Sequence, residues 1–116
     1  MRFVALVLLL VLPVNCQAWS GKDTALEVIS EGMTVVDWGQ TQDIRNHNGM
    51  IELNPILGRS PSRGAVNAYF ISVLAIHPVI SIALPESCRT IWQSIYIGVE
   101  WTAISSNYNG GLRLSF

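Results

Sequence analysis

Four side chains carry most of the chemistry this sequence offers: Asp37, Glu52, His77 and Glu100. Carboxyls and imidazole bind and move protons or hold cations near neutral pH. The set therefore reads either as a membrane enzyme or proton-coupled site, or as polar anchors of a fold. Glu100 interrupts an apolar stretch. A carboxylate in mid-bilayer costs about 2.5–3.5 kcal/mol on insertion scales, so Glu100 needs a proton, a ligand, or hydrogen bonds from Tyr, Asn or backbone groups. Asp37 precedes Trp38-Gly39-Gln40-Thr41 and reads as a buried residue that registers one helix against others. His77 precedes Pro78 as a kink or packing residue, and no His and carboxylate set stands at zinc-ligand spacing, so no metal is expected. Glu52-Leu53-Asn54-Pro55 reads as a corner in which Asn54 bonds local backbone and Pro55 fixes the exit direction.

Read at heptad-like spacing, the surrounding residues fall into three polar seams. One holds Ser30, Asp37, Gln40 and Thr41; the second Asn67, His77 and Ser81; the third Gln93, Tyr96, Glu100 and Asn107. Facing one another, they would make the interior of a bundle polar, with Gln40, Thr41, Asn54, Asn67 and Asn107 as its candidate ligand-binding groups. Recognised nucleophile elbows and phosphate-binding glycine loops are missing, and no cofactor is implied. Cys88 reads as a helix-boundary thiol without a role.

The elements that must position these residues begin after a secretory signal. Arg2 supplies its positive start, Phe3 to Leu12 its apolar core, and Pro13 its break. Small residues at Cys16 and Ala18 place cleavage before Trp19, so the domains are a signal peptide, 1–18, and one mature domain, 19–116. Lipidation of Cys16 is the alternative, although Pro13-Val14-Asn15 matches such a site poorly. With Cys16 removed, Cys88 has no intrachain disulfide partner.

The first helix spans Gly21 to Asn46, with Asp23 or Thr24 as N-cap. Leu26, Ile29, Met33, Val36 and Ile44 recur on one face, and Glu27 and Glu31 lie on another. Such an amphipathic helix suits a bundle or a membrane surface. A structured loop follows, rich in Asn, Gly and Pro, and with Arg45, Arg59 and Arg63 it reads as cytoplasmic. Ala65 to Leu84 carries no charge and has the roughly 20 residues needed to cross a hydrocarbon core about 30 Å thick. It is the transmembrane candidate, kinked at Pro78, or else the core helix of a soluble bundle. After a short turn at Pro85-Glu86-Ser87, a third helix runs from Cys88 to Tyr108 with Ser87 as N-cap. The tail Leu112 to Phe116 alternates apolar and polar residues, as a short extended arm does.

Composition agrees with a lipid setting. Hydrophobic residues make up 50% of the chain and charged ones 13%, against roughly 25% charged in soluble domains. A net charge of −1 leaves no basic field for nucleic acid. The expected fold is all-α: about three helices in a small, membrane-embedded bundle.

The segments Trp19 to Leu26, Asp37-Trp38-Gly39-Gln40-Thr41, Asn54-Pro55-Ile56-Leu57-Gly58, Asn67-Ala68-Tyr69-Phe70 and Ile97-Gly98-Val99-Glu100 resemble a group of small bacterial and phage-encoded envelope proteins of uncharacterised activity. The resemblance implies an exported helical membrane protein, and it supplies no catalytic residue. The expected function is that of a non-enzymatic accessory or interaction component of the bacterial inner membrane. Its partners would be the bilayer and a second copy or another membrane protein. The alternatives are the membrane enzyme or proton-coupled site named above, and a soluble periplasmic helical binding protein.

Overall fold

A computed structural model describes residues 19–116. The expected signal, its cleavage motif and Cys16 lie outside the described residues. Three helices make up the fold: α1 (Gly21–Asp43), extended by a 3-10 turn at Ile44–Asn46, α2 (Arg63–Ala83) and α3 (Glu86–Asn109). No strand occurs among the described residues, so the all-α expectation holds.

The first helix starts at Gly21 as expected but with a different cap, and the other two start earlier than expected, each for a local reason. α1 is capped by Ser20, not by Asp23 or Thr24. Ser20 Oγ accepts from Asp23 N at 3.2 Å, and Asp23 Oδ2 accepts from Ser20 N at 2.9 Å, a reciprocal capping box. Thr24 instead accepts a hydrogen bond from the Trp19 indole at 2.7 Å. α2 begins before the uncharged span, because Ser62 Oγ accepts from Ala65 N at 3.1 Å. It continues through Pro78, where the missing N–H removes one bond of the ladder. Ser87 lies inside α3 rather than capping it. Pro85 takes the N-cap position at φ −57°, and its carbonyl accepts from Arg89 N at 2.8 Å to close the first turn.

α1 lies against both other helices, while α2 and α3 meet mainly through α1 and near their short connection. The buried side of α1 is Asp23, Glu27, Ser30, Thr34, Gln40 and Thr41. This is the polar seam, whereas Ile29 of the expected apolar face is 48% exposed. α2 buries Val66, Phe70, His77 and Ser81, and α3 buries Arg89, Gln93 and Glu100. Outside stand Val28, Ile71, Ile76, Val79, Ile82, Ile91, Ile95, Val99 and Trp101. The three seams thus cover one another within a single chain. Only 22% of the most apolar window of α2 is buried in the fold.

The tail is the expected extended arm. Gly111, at φ +101°, takes the left-handed conformation that turns the chain back. Leu112 is then buried, Ser115 N donates to Gly39 O at 3.0 Å, and Phe116 meets Trp38 edge-on with ring centroids 6.0 Å apart.

Candidate functional site

The polar interior is layered along the bundle. At the Ser20 end, Arg89 is fully buried and binds three elements together. Its guanidinium donates to Asp23 Oδ2 at 2.8 Å, to Ser81 O at 2.7 Å and to Leu84 O at 3.0 Å, and it lies over the Trp19 ring. Such a planar fork of donors suits Arg and not Lys.

One turn further in, Glu27 is a hub. Its Oε1 contacts His77 Nδ1 at 2.6 Å, while Oε2 accepts from Ser81 Oγ at 2.7 Å and from Gln93 Nε2 at 2.8 Å. His77 also packs its ring on Trp92 and Tyr96. This is the packing role expected of it, set by a carboxylate that the sequence reading left outside the seams. The fold brings Glu27, Glu31 and His77 ligand atoms within 4.8 Å of one another, a set that sequence spacing conceals. Both oxygens of Glu27 are already committed to hydrogen bonds, so the cluster works as an internal polar lock. Beyond it, Thr34 Oγ1 and Tyr96 Oη lie 2.6 Å apart and tie α1 to α3.

The other three chemical candidates come together deeper in the bundle, away from His77. Asp37, Glu52 and Glu100 line one cavity of about 690 Å³ between α1, α2, α3 and the loop around Asn54. The carboxyls of Asp37 and Glu100 are close enough for their charges to act on each other, and Glu52 is near enough for its charge to act on Asp37. Neighbouring carboxylates disfavour each other's charge, and a proton or a cation relieves that repulsion. Asp37 Oδ1 also accepts from Asn107 Nδ2 at 3.0 Å and from Thr41 Oγ1 at 3.5 Å. Glu100 is 8% exposed, and its Oε2 is buried with no hydrogen-bond partner. Glu52 is aimed by the predicted corner. Its Oε1 accepts from Asn54 N at 2.8 Å, Asn54 Oδ1 accepts from Ile56 N at 3.0 Å, and Asn54 O receives Leu57 N and Gly58 N.

Of the neutral candidates, Thr41, Asn54 and Asn107 line this cavity. Gln40 and Asn67 do not. Gln40 bonds Ile104 O and Asn107, and Asn67 Oδ1 accepts from Trp38 Nε1 at 3.0 Å and Gln42 Nε2 at 2.7 Å. The structure therefore separates His77 from the acids it was grouped with. Cys88 is free and exposed at the start of α3.

Fold and site together define a three-helix bundle with a polar interior, an apolar exterior and an acid-lined cavity. No family of known proteins, no characterised protein and no solved structure matches the chain. The geometry alone carries the functional reading.

Proposed function

We propose that this chain is a small integral membrane protein of the cell envelope. Its three helices cross the bilayer with their polar sides turned to one another, and it acts by binding, as an accessory or interaction component. The inverted distribution of polarity carries this reading. Among the eight largest fully buried side chains, Val66 is the lone apolar one, beside Arg89, Gln42, Gln93, Thr34, Asp23, Ser30 and Ser81. Isoleucine and valine side chains meanwhile stand outward along all three helices. Water rewards the opposite arrangement, whereas in lipid polar groups must be satisfied internally.

Two further features support it. Helices of 23, 21 and 24 residues are about 32–36 Å long at 1.5 Å per residue, long enough for the hydrocarbon core, and among the described residues α2 is the one that is also apolar enough to cross by composition. The loop after α1 and the C-terminal tail share one end of the bundle, linked by Asp43 to Arg113 and Asn46 to Ser115. That end carries Arg45, Arg59, Arg63 and Arg113, while the other carries Lys22 and the internally paired Arg89. The positive-inside tendency makes the arginine-rich end cytoplasmic.

The test is alkaline carbonate extraction of membranes from cells expressing the full chain. The expected result is a processed protein that stays in the membrane pellet. Quantitative release by osmotic shock would overturn the membrane reading and leave a periplasmic bundle. Catalysis or proton coupling is the second reading, favoured by the neighbouring carboxyls of Asp37 and Glu100.

A further inference from the structure

The acid-lined cavity has a size and lining that select among cations. At about 690 Å³ it falls in the range of small-molecule sites, roughly 300–1,000 Å³, far larger than a bare metal ion requires. Its polar end holds three carboxyls, and no Lys or Arg lines it. Its walls are apolar and aromatic: Tyr69 and Phe70 on one side, Ile95 and Val99 on the other, with Leu53 and Leu57 beneath. Glu100 Oε2, buried and without a hydrogen-bond partner, is an acceptor waiting for a donor. An ammonium group offers three N–H donors and no acceptor, which suits a cavity whose charged lining is acidic throughout, and an aromatic face adds attraction for a cation.

We propose that the cavity is a binding site for an organic cation, a primary ammonium on an apolar or aromatic body, with the ammonium held by the neighbouring carboxyls of Asp37 and Glu100 and with Glu52 adding its charge from the cavity wall. This deepens the binding reading above and rests on it: Ile95 and Val99 of the cavity wall also belong to the exposed apolar side of α3.

The experiment is calorimetric titration of the full processed chain in detergent with 2-phenylethylammonium. The comparison probes are its neutral counterpart 2-phenylethanol, sodium chloride and magnesium chloride. Saturable binding of the ammonium without binding of the alcohol is expected. Glu100→Gln should weaken it about ten- to hundredfold, the loss of one charge-assisted hydrogen bond. Gly98→Leu is the second variant. Gly98 lines the cavity, and a Cβ there meets nothing within 4 Å, so the leucine fills the space without touching the acids and should abolish binding in a protein of unchanged helicity. Saturation by sodium or magnesium but not by the ammonium would overturn the proposal in favour of an inorganic cation. Equal binding of the alcohol would reduce the cavity to an apolar slot, and a folded protein that binds no probe would refute the site. Carbonate extraction of the same preparation keeps the two readings apart: a membrane-retained protein that binds nothing loses the site only, and a released one that binds the ammonium loses only the membrane.

Discussion

At the residue scale, stability rests on polar groups that have nowhere else to go. Arg89 and Asp23 are both fully buried, so removing one leaves the other's charge unpaired in a medium that cannot solvate it. Arg89→Met is expected to destabilise the bundle by about 3–5 kcal/mol, and Arg89→Lys to recover only part, because an ammonium cannot reach Asp23, Ser81 and Leu84 together. Denaturation in mixed micelles would check both, and wild-type stability in Arg89→Met would show the pair to be dispensable. Glu27→Ala strands His77 Nδ1 and takes one bond each from Ser81 and Gln93, which keep His77 O and Asp23 O as acceptors. At about 1–3 kcal/mol for a buried group left unsatisfied, it should lower the unfolding midpoint far more than Ser72→Ala, whose hydroxyl only bonds its own helix at Ala68. Equal midpoints for the two variants would refute the hub. Glu100 and Asp37 were legible in sequence because each interrupts an apolar run. Asp23, Glu27 and Arg89 were not, since acids and arginine near helix ends are ordinary surface residues in water. The spacing 23, 27, 30, 34, 37, 41 in α1 and 89, 93, 96, 100, 107 in α3 was the available clue: a heptad seam made of polar residues.

At the scale of elements, helix number and order could be read from periodicity and from the Asn, Gly and Pro clusters, but the caps depended on contacts a linear pattern leaves ambiguous. Ser20 and Ser62 won over neighbouring candidates because their hydroxyls meet the backbone N–H three residues on. Pro85 displaced Ser87 because its fixed φ already starts a turn. The tail shows how a short arm is held. A Cβ on Gly39 would lie 2.7 Å from the Phe116 ring and 3.0 Å from Leu114, so the arm lies there because position 39 has no side chain. Gly39→Leu should displace the arm and expose the segment after Asn109 to carboxypeptidase or a site-specific protease, while α1 to α3 remain helical by circular dichroism. An arm still protected in Gly39→Leu would mean that Leu112 and the Asp43 contact to Arg113 N suffice to hold it.

At the scale of the whole molecule, the arrangement of charge makes a directional prediction that the packing alone does not. On the proposed three-span reading, with Arg45, Arg59, Arg63 and Arg113 at one end, the N-terminal end of α1 faces outward and the C-terminus lies in the cytoplasm. A fluorescent protein fused after Phe116 should therefore glow, and alkaline phosphatase fused there should be inactive. The same phosphatase fused after Pro85, in the turn between α2 and α3, should be active. Replacing the four arginines with glutamine removes the bias at the cost of one bond to the buried interior, from Arg45 to Gln42, since none of the four is itself buried. That variant is expected to keep its membrane retention yet give mixed orientation, with phosphatase activity appearing at the C-terminus. Uniform orientation in the variant would assign topology to the signal sequence instead of the arginines. An active C-terminal phosphatase in the unaltered chain would invert the bundle, and the acid-lined cavity would then lie nearer the outer face than the cytoplasmic one.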